Sequence, residues 1–143
     1  MIFATKPKQF NPRFEVVSCF FEYDGEVLFL QRQDHKPEGG TWGAPAGKID
    51  QGETPEIAMA RELVQETGFD ASRKKLVYFR KLYVCYKTYD FVYHIFSLKL
   101  GAKPDVQLNL EEHKAYRWLS PAEALRINLI PDMDACIKLF YGI

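Results

Sequence analysis

Residues 47–69 read GKIDQGETPEIAMARELVQETGF. Thr54 followed by Pro55 opens a helix, because a threonine oxygen can accept a free N–H of the first turn and proline at the first helical position loses no bond. Gly68 closes it, since glycine takes the left-handed conformation that ends helices. The helix is therefore expected to run to about Thr67. Glu62 and Glu66 stand four residues apart and share one face, with Gln65 beside them. Ile57, Ala60 and Val64 fall on the opposite face, which is expected to be the buried one. Like charges at this spacing destabilise an isolated helix by roughly 0.2–0.5 kcal/mol. A solvated acidic face beside Arg61 would tolerate that repulsion, and a hard cation would remove it, since Mg²⁺ and Mn²⁺ prefer carboxylate oxygens. The preceding loop favours the cation, because Gly47 lets the backbone approach a ligand closely.

Upstream of this stretch, residues 14–23 read as a strand with apolar side chains on both alternating faces: Phe14, Val16 and Phe20 on one, Val17, Cys19 and Phe21 on the other. Such a strand is covered on both sides. Asp24-Gly25 is a hairpin turn, and residues 26–32 return. Residues 1–12 form an extended lead-in, with Pro7 and Pro12 opposing helix. Residues 33–47 are a glycine-rich loop. Downstream, residues 75–86 and 90–100 are strands rich in Tyr, Phe and Val, and residues 114–119 a short one. Ser120-Pro121-Ala122-Glu123 is a capping box opening a second helix. A last helix over 132–141 aligns Met133, Ile137 and Phe140. The mixed order makes the fold α+β, or mixed α/β.

The 143 residues suit one domain, 1–143, with no linker dividing it. Lysine plus arginine number 19 and aspartate plus glutamate 19, so no basic excess points to a nucleic-acid partner. No stretch approaches a membrane span and no apolar leader opens the chain. Cys19, Cys85 and Cys136 lack metal-ligand spacing and read as buried free thiols, which suits a cytoplasmic setting.

Gly47, five residues, Glu53, seven residues, Arg61-Glu62-Leu63, one residue, Gln65-Glu66, one residue and Gly68-Phe69 resemble the Nudix box. Every defined position matches except Gln65, where the box carries the first of two paired glutamates. Trp42-Gly43-Ala44-Pro45-Ala46-Gly47-Lys48 is similar to the segment that leads into the box, and Glu112-His113 with Tyr116-Arg117-Trp118-Leu119 to a late segment of several members. That late segment is similar to one in diadenosine tetraphosphate hydrolases and dihydroneopterin triphosphate pyrophosphatases. The resemblance covers residues 14–130.

The resemblance implies a Nudix-like α/β/α sandwich with a mixed β-sheet and a loop–helix–loop catalytic motif. It implies a divalent-metal-dependent hydrolase, Mg²⁺ with Mn²⁺ as substitute, cutting a diphosphate linkage in a small nucleotide-like substrate. Glu66 would be the principal metal ligand, and Glu62 a ligand or the general base. Gly47 would offer a carbonyl to the metal, and Arg61 would orient acidic side chains. Glu53 would stabilise the loop–helix unit. Glu112 would supply a distant acidic group, with Glu111 the competing choice, and either Glu62 or Glu112 could be the base. Gln65 would be a neutral, weaker ligand, so a non-catalytic nucleotide-binding sensor on the same fold stands as the alternative.

Arg32 and Lys48 are candidates for phosphate contacts, or plain surface charges. Tyr83, Tyr86, Tyr89, Phe91 and Tyr93 could stack a base, but aromatic packing between strands is the simpler reading. His35, His94 and His113 show no metal spacing and read as structural. A homodimer is left open.

Overall fold

The computed structural model describes residues 1–72 and 74–143. In chain order the elements are β1 (Ile2–Phe3), β2 (Pro12–Tyr23), β3 (Glu26–Arg32), β4 (Trp42–Gly43), β5 (Ala46–Lys48), α1 (Pro55–Thr67), β6 (Val77–Cys85), β7 (Asp90–Leu100), β8 (His113–Leu119), α2 (Pro121–Ala124) and α3 (Met133–Tyr141). One mixed sheet runs β1-β6-β7-β2-β3-β4, with β5 also paired to β2 and β8 to β3. The β2–β7 pairing is parallel over nearly the whole of both strands, and the other pairings are antiparallel.

β2 lies inside the sheet and is covered on both faces, as its doubly apolar pattern requires. Val17, Cys19 and Phe21, all fully buried, pack with Leu28, Leu30 and Phe96 under α1. Phe20 packs with Phe29, Leu82, Ile95 and Ile137 under α3. Burying each large side chain contributes about 1.5–3 kcal/mol, so the two helices are held chiefly by these contacts. The result is the α/β/α sandwich. The Asp24-Gly25 turn has φ of 50° and 77°, the pair of positive values that a tight hairpin of the right twist demands.

Thr54 caps α1 by accepting the Ile57 N–H at 3.2 Å, and Gly68 ends the helix at φ 76°. The inward face differs from expectation. Ile57 is 57% and Val64 49% exposed, and Ala60 is only half-buried. The buried side chains are Ala58, Met59, Leu63, Glu66 and Thr67. Met59 and Leu63 lie next to Glu62 and Glu66 around the helix, so docking them on the sheet carries the carboxylates inward. Helical spacing says which residues share a face; it does not say which face docks.

The 33–47 stretch contains the short strands β4 and β5, and the second helix is only four residues long, though its capping box is complete. Cys19 and Cys136 are buried, Cys85 is half-buried, and all three are free thiols. No helix among the described residues is long and apolar enough to cross a membrane.

Candidate active site

β5 lies antiparallel to β2, with Gly47 opposite Val17, and α1 packs over it. The Glu62 carboxyl sits directly on Gly47: a Cβ at residue 47 would overlap its carbon and both its oxygens. The close approach that calls for glycine here is thus made by a side chain of the same chain. One turn along, Glu66 is 7% exposed, and its Oε1 accepts the Ala46 N–H at 2.8 Å. β5 therefore holds both helix carboxylates.

Arg61 binds the unit from the other side. Its Nε and Nη2 donate to the two Glu53 oxygens at 2.8 and 2.9 Å, its Nη1 to Glu62 Oε1 at 2.7 Å, and Nη2 to the Lys48 carbonyl at 2.9 Å. Such forked, charge-assisted bonds fix geometry as well as attract. Glu53 also accepts the Asp50 N–H at 2.8 Å, and the Arg61 guanidinium holds its carboxyl below the usual carboxylate range.

Burial pushes the Glu62 carboxyl upward, opposed by Arg61. Glu66 is pushed well above its ordinary value, first by burial and then by the charges of Glu62 and Glu112, against the Ala46 N–H and Arg32. Glu112 reaches this group from the turn before β8, where the Asn109 carbonyl accepts the N–H groups of Glu112 and His113 at 3.0 and 2.9 Å. Its Oε1 accepts from Lys36 at 3.0 Å. Glu111 is exposed and lies outside the cleft.

Glu62, Gln65, Glu66 and Glu112 line one cleft of about 590 Å³. Arg32 and Lys48 line it too. Arg32 donates through Nε to the Pro37 carbonyl at 2.7 Å, and the Lys48 ammonium stands 4.3 Å above the Phe14 ring. Phe14, Tyr86, Tyr89, Phe91 and Tyr93 add an aromatic lining, in which Phe14 stacks on Phe91 at 5.6 Å. Tyr83 is not among them and meets Phe10 edge-on.

Residues 12–140 match the family model for the NUDIX domain. The chain belongs to the Nudix family. It is 33% identical over 131 residues to the CTP pyrophosphohydrolase of Escherichia coli (strain K12), covering 90% of this chain and 92% of that one. It is 34% identical over 117 residues to the asymmetrical bis(5'-nucleosyl)-tetraphosphatase of Rattus norvegicus, covering 79% and 76%. Among solved structures it is similar to the E. coli ORF135 protein, with a TM-score of 0.74, 27% identity and coverage of 90% and 89%. The E. coli dihydroneopterin triphosphate pyrophosphohydrolase shares the fold, with a TM-score of 0.76 at 20% identity and coverage of 92% and 97%.

Within this Nudix site, Gln65 is exposed, and its Oε1 accepts from Arg61 Nη1 at 3.1 Å, so the oxygen considered for a metal is engaged by the guanidinium. Among the described residues, no three His, Cys, Asp or Glu side chains form a ready metal cage. The donor set still fits a hard, hydrated cation. Mg²⁺ is commonly bound by one or two carboxylates together with waters and phosphates rather than by a closed protein cage. Desolvation leaves the Glu62 and Glu66 carboxyls in need of positive charge, and the charges of Glu62 and Glu112 add to that need at Glu66.

Two further cleft residues, Glu38 and Asp132, escaped the sequence reading, and His113, expected there to be structural, lines the cleft as well. Glu38 and Asp132 both have positive φ, 58° and 69°, and no local pattern marks either. Burial raises Tyr86, with Asp132, Tyr89 and Glu38 adding to it, so these groups form a second electrostatic neighbourhood beside that of Glu66. His94 is a tied structural histidine, bonded to Glu15 at 2.7 Å and Tyr78 at 2.8 Å.

Proposed function

We propose that the chain is a Mg²⁺-dependent hydrolase that cuts a diphosphate linkage in a nucleoside polyphosphate or related nucleoside diphosphate derivative. Hydrolysis of a phosphoanhydride bond follows from membership of the family and its pyrophosphohydrolase relatives. The observation that carries the finer reading is one cleft lined both by three electrostatically coupled carboxylates and by aromatic rings suited to a base. Glu62, Glu66 and Glu112 would hold the ion, with the Gly47 carbonyl as a further oxygen. A divalent ion, when bound, neutralises phosphate charge and makes a water more acidic. Arg61 holds Glu62 in place through the bidentate pair with Glu53. Glu62 would either complete the ligand set or, left free of the ion, take the proton of the attacking water. Arg32 and Lys48 would face phosphate oxygens. Three free thiols suit a cytoplasmic setting.

The test is Mg²⁺ titration against a panel of CTP, other nucleoside triphosphates, diadenosine tetraphosphate and ADP-ribose, followed by phosphate and pyrophosphate release. Turnover that rises with Mg²⁺ is expected. Saturable nucleotide binding with no turnover would support the sensor instead.

Two substitutions sharpen the reading. Glu112→Gln is expected to lower kcat at least about tenfold, because its charge acts on Glu66, whereas Glu111→Gln, outside the cleft, leaves it unchanged. Equal and negligible effects at both positions would remove Glu112 from the mechanism. Gln65→Glu adds a negative charge to the cleft and is expected to lower the Mg²⁺ concentration for half-maximal activity. A rise in KM at constant Mg²⁺ dependence would show instead that residue 65 faces phosphate.

A further inference from the structure

His113 opens β8 in register with Arg32 on β3 and is 5% exposed. Among the described residues, its Nδ1 is the one buried side-chain nitrogen or oxygen without a hydrogen-bond partner. Buried polar atoms are almost always paired, and an unpaired one lowers stability. An apolar side chain of similar size would suit this place in the fold better.

The residue is nevertheless placed with care. Its backbone N–H is held by the Asn109 carbonyl, and it lines the cleft next to Glu112. His94 shows the contrast: both its ring nitrogens are engaged, and it lies outside the cleft. A fold that retains an unpaired polar group in the wall of its active site gives up stability there for function. The cations whose charges act on the ring are Arg32, a cleft residue, and Lys36, bonded to Glu112, and they oppose the charge of Glu112 itself. Both favour an anionic ligand, and an imidazole N–H complements a phosphate oxygen.

We infer that His113 is a substrate-binding residue whose imidazole, on a turn of the ring that brings the unpaired Nδ1 to the cleft, donates a hydrogen bond to the phosphate end of a nucleotide held there. The inference rests on the nucleotide-hydrolase reading above.

The test compares His113→Leu, His113→Gln and His113→Asn with wild type in the presence of Mg²⁺. His113→Leu is expected to melt about 2–4 °C higher than wild type without nucleotide, because an unpaired buried nitrogen is gone. The same variant is expected to raise KM for CTP about tenfold or more, with a smaller change in kcat. The amide N–H of Gln or Asn should recover part of that loss. A Leu variant with unchanged KM, or one whose melting temperature and activity fall together, overturns the inference.

A readout independent of turnover is the ring ¹⁵N chemical shifts of His113 in wild type, recorded with and without Mg²⁺ and α,β-methylene-CTP or α,β-methylene-ATP. Displaced shifts on binding are expected, whether or not the Leu variant folds. Binding that leaves these nitrogens unmoved overturns the assignment of His113 alone. A wild type that neither binds these analogues nor hydrolyses any nucleotide of the panel overturns the nucleotide-hydrolase reading as well.

Discussion

Glu66→Gln is expected to retain less than about one per cent of wild-type turnover at saturating Mg²⁺, since even partners one shell beyond a metal ligand cost 10–100-fold when replaced. The carboxylate is 7% exposed, anchored on the Ala46 N–H and close enough to Glu62 and Glu112 to feel their charges. Glutamine keeps the size and an acceptor for Ala46 and removes only the charge. The loss therefore reports electrostatics rather than packing. Near wild-type activity would count against a metal-assisted mechanism.

The same substitution has a second, opposite consequence. Burial, with the charges of Glu62 and Glu112, raises the folded-state pKa of Glu66 well above its ordinary 4.5, so folding favours the protonated form. Its contribution to stability is full below that ordinary value and is lost as the pH rises through the raised one, because a charge must then form in a desolvated place. Glutamine is neutral throughout. In EDTA at pH 8 the Glu66→Gln protein is expected to melt above wild type, with the gap closing toward pH 4. Calorimetry across that range checks it, and a gap that widens on acidification would contradict the assignment. Added Mg²⁺ should stabilise wild type more than the variant, because only wild type presents the full set of carboxylates.

Gly47→Ala is expected to reduce activity to a similar extent from the opposite strand. The new methyl would occupy the place of the Glu62 carboxyl, and strand β5 cannot retreat easily while its backbone is paired to β2 at Val17. Glu62 must move, and its bond to Arg61 at 2.7 Å moves with it. Displacement of a positioned catalytic group by about 1 Å is enough to cost about 10²-fold. The double variant Gly47→Ala with Glu62→Gln separates the explanations. If alanine acts through Glu62, the double variant is no worse than Glu62→Gln alone. Additive losses would place the role of Gly47 in its own carbonyl or in the fold.

The Glu62–Gly47 contact also marks how far the sequence could be read. A glycine before an acidic helix announced a close approach, and the natural partner for that approach was a ligand. The partner is Glu62, 15 positions away along the chain. Gln65 could be read as a neutral ligand because it neighbours Glu66 on the helix; its bond to Arg61 depends on the side-chain arrangement that Glu53 imposes on the guanidinium. The aromatic run 83–93 was read as packing or as a stacking site, and four of the five named residues line the cleft while Tyr83 does not. Strand alternation leaves that question open until the neighbouring elements are in place.

What the sequence determined by itself is whatever short-range chemistry controls. The cap at Thr54, the stop at Gly68, the positive-φ turn at Asp24-Gly25 and the two-faced apolar pattern of β2 each depend on residues within one or two turns or strand repeats. The box spacing that marks the family belongs to the same level, because it reflects a loop and helix only 23 residues from end to end, Gly47 to Phe69. Tertiary structure alone decided which side of α1 docks, and therefore that Glu66 is desolvated while Ile57 and Val64 face solvent. It also brought His113, the first residue of β8, and Glu112, from the turn before it, to the cleft, through the pairing of β8 with β3 rather than through anything in the intervening chain. The physical reason is the same in each case. Periodicity and capping are set by backbone geometry over a few residues, whereas burial and electrostatic coupling depend on which surfaces meet, a choice made by the whole core at once.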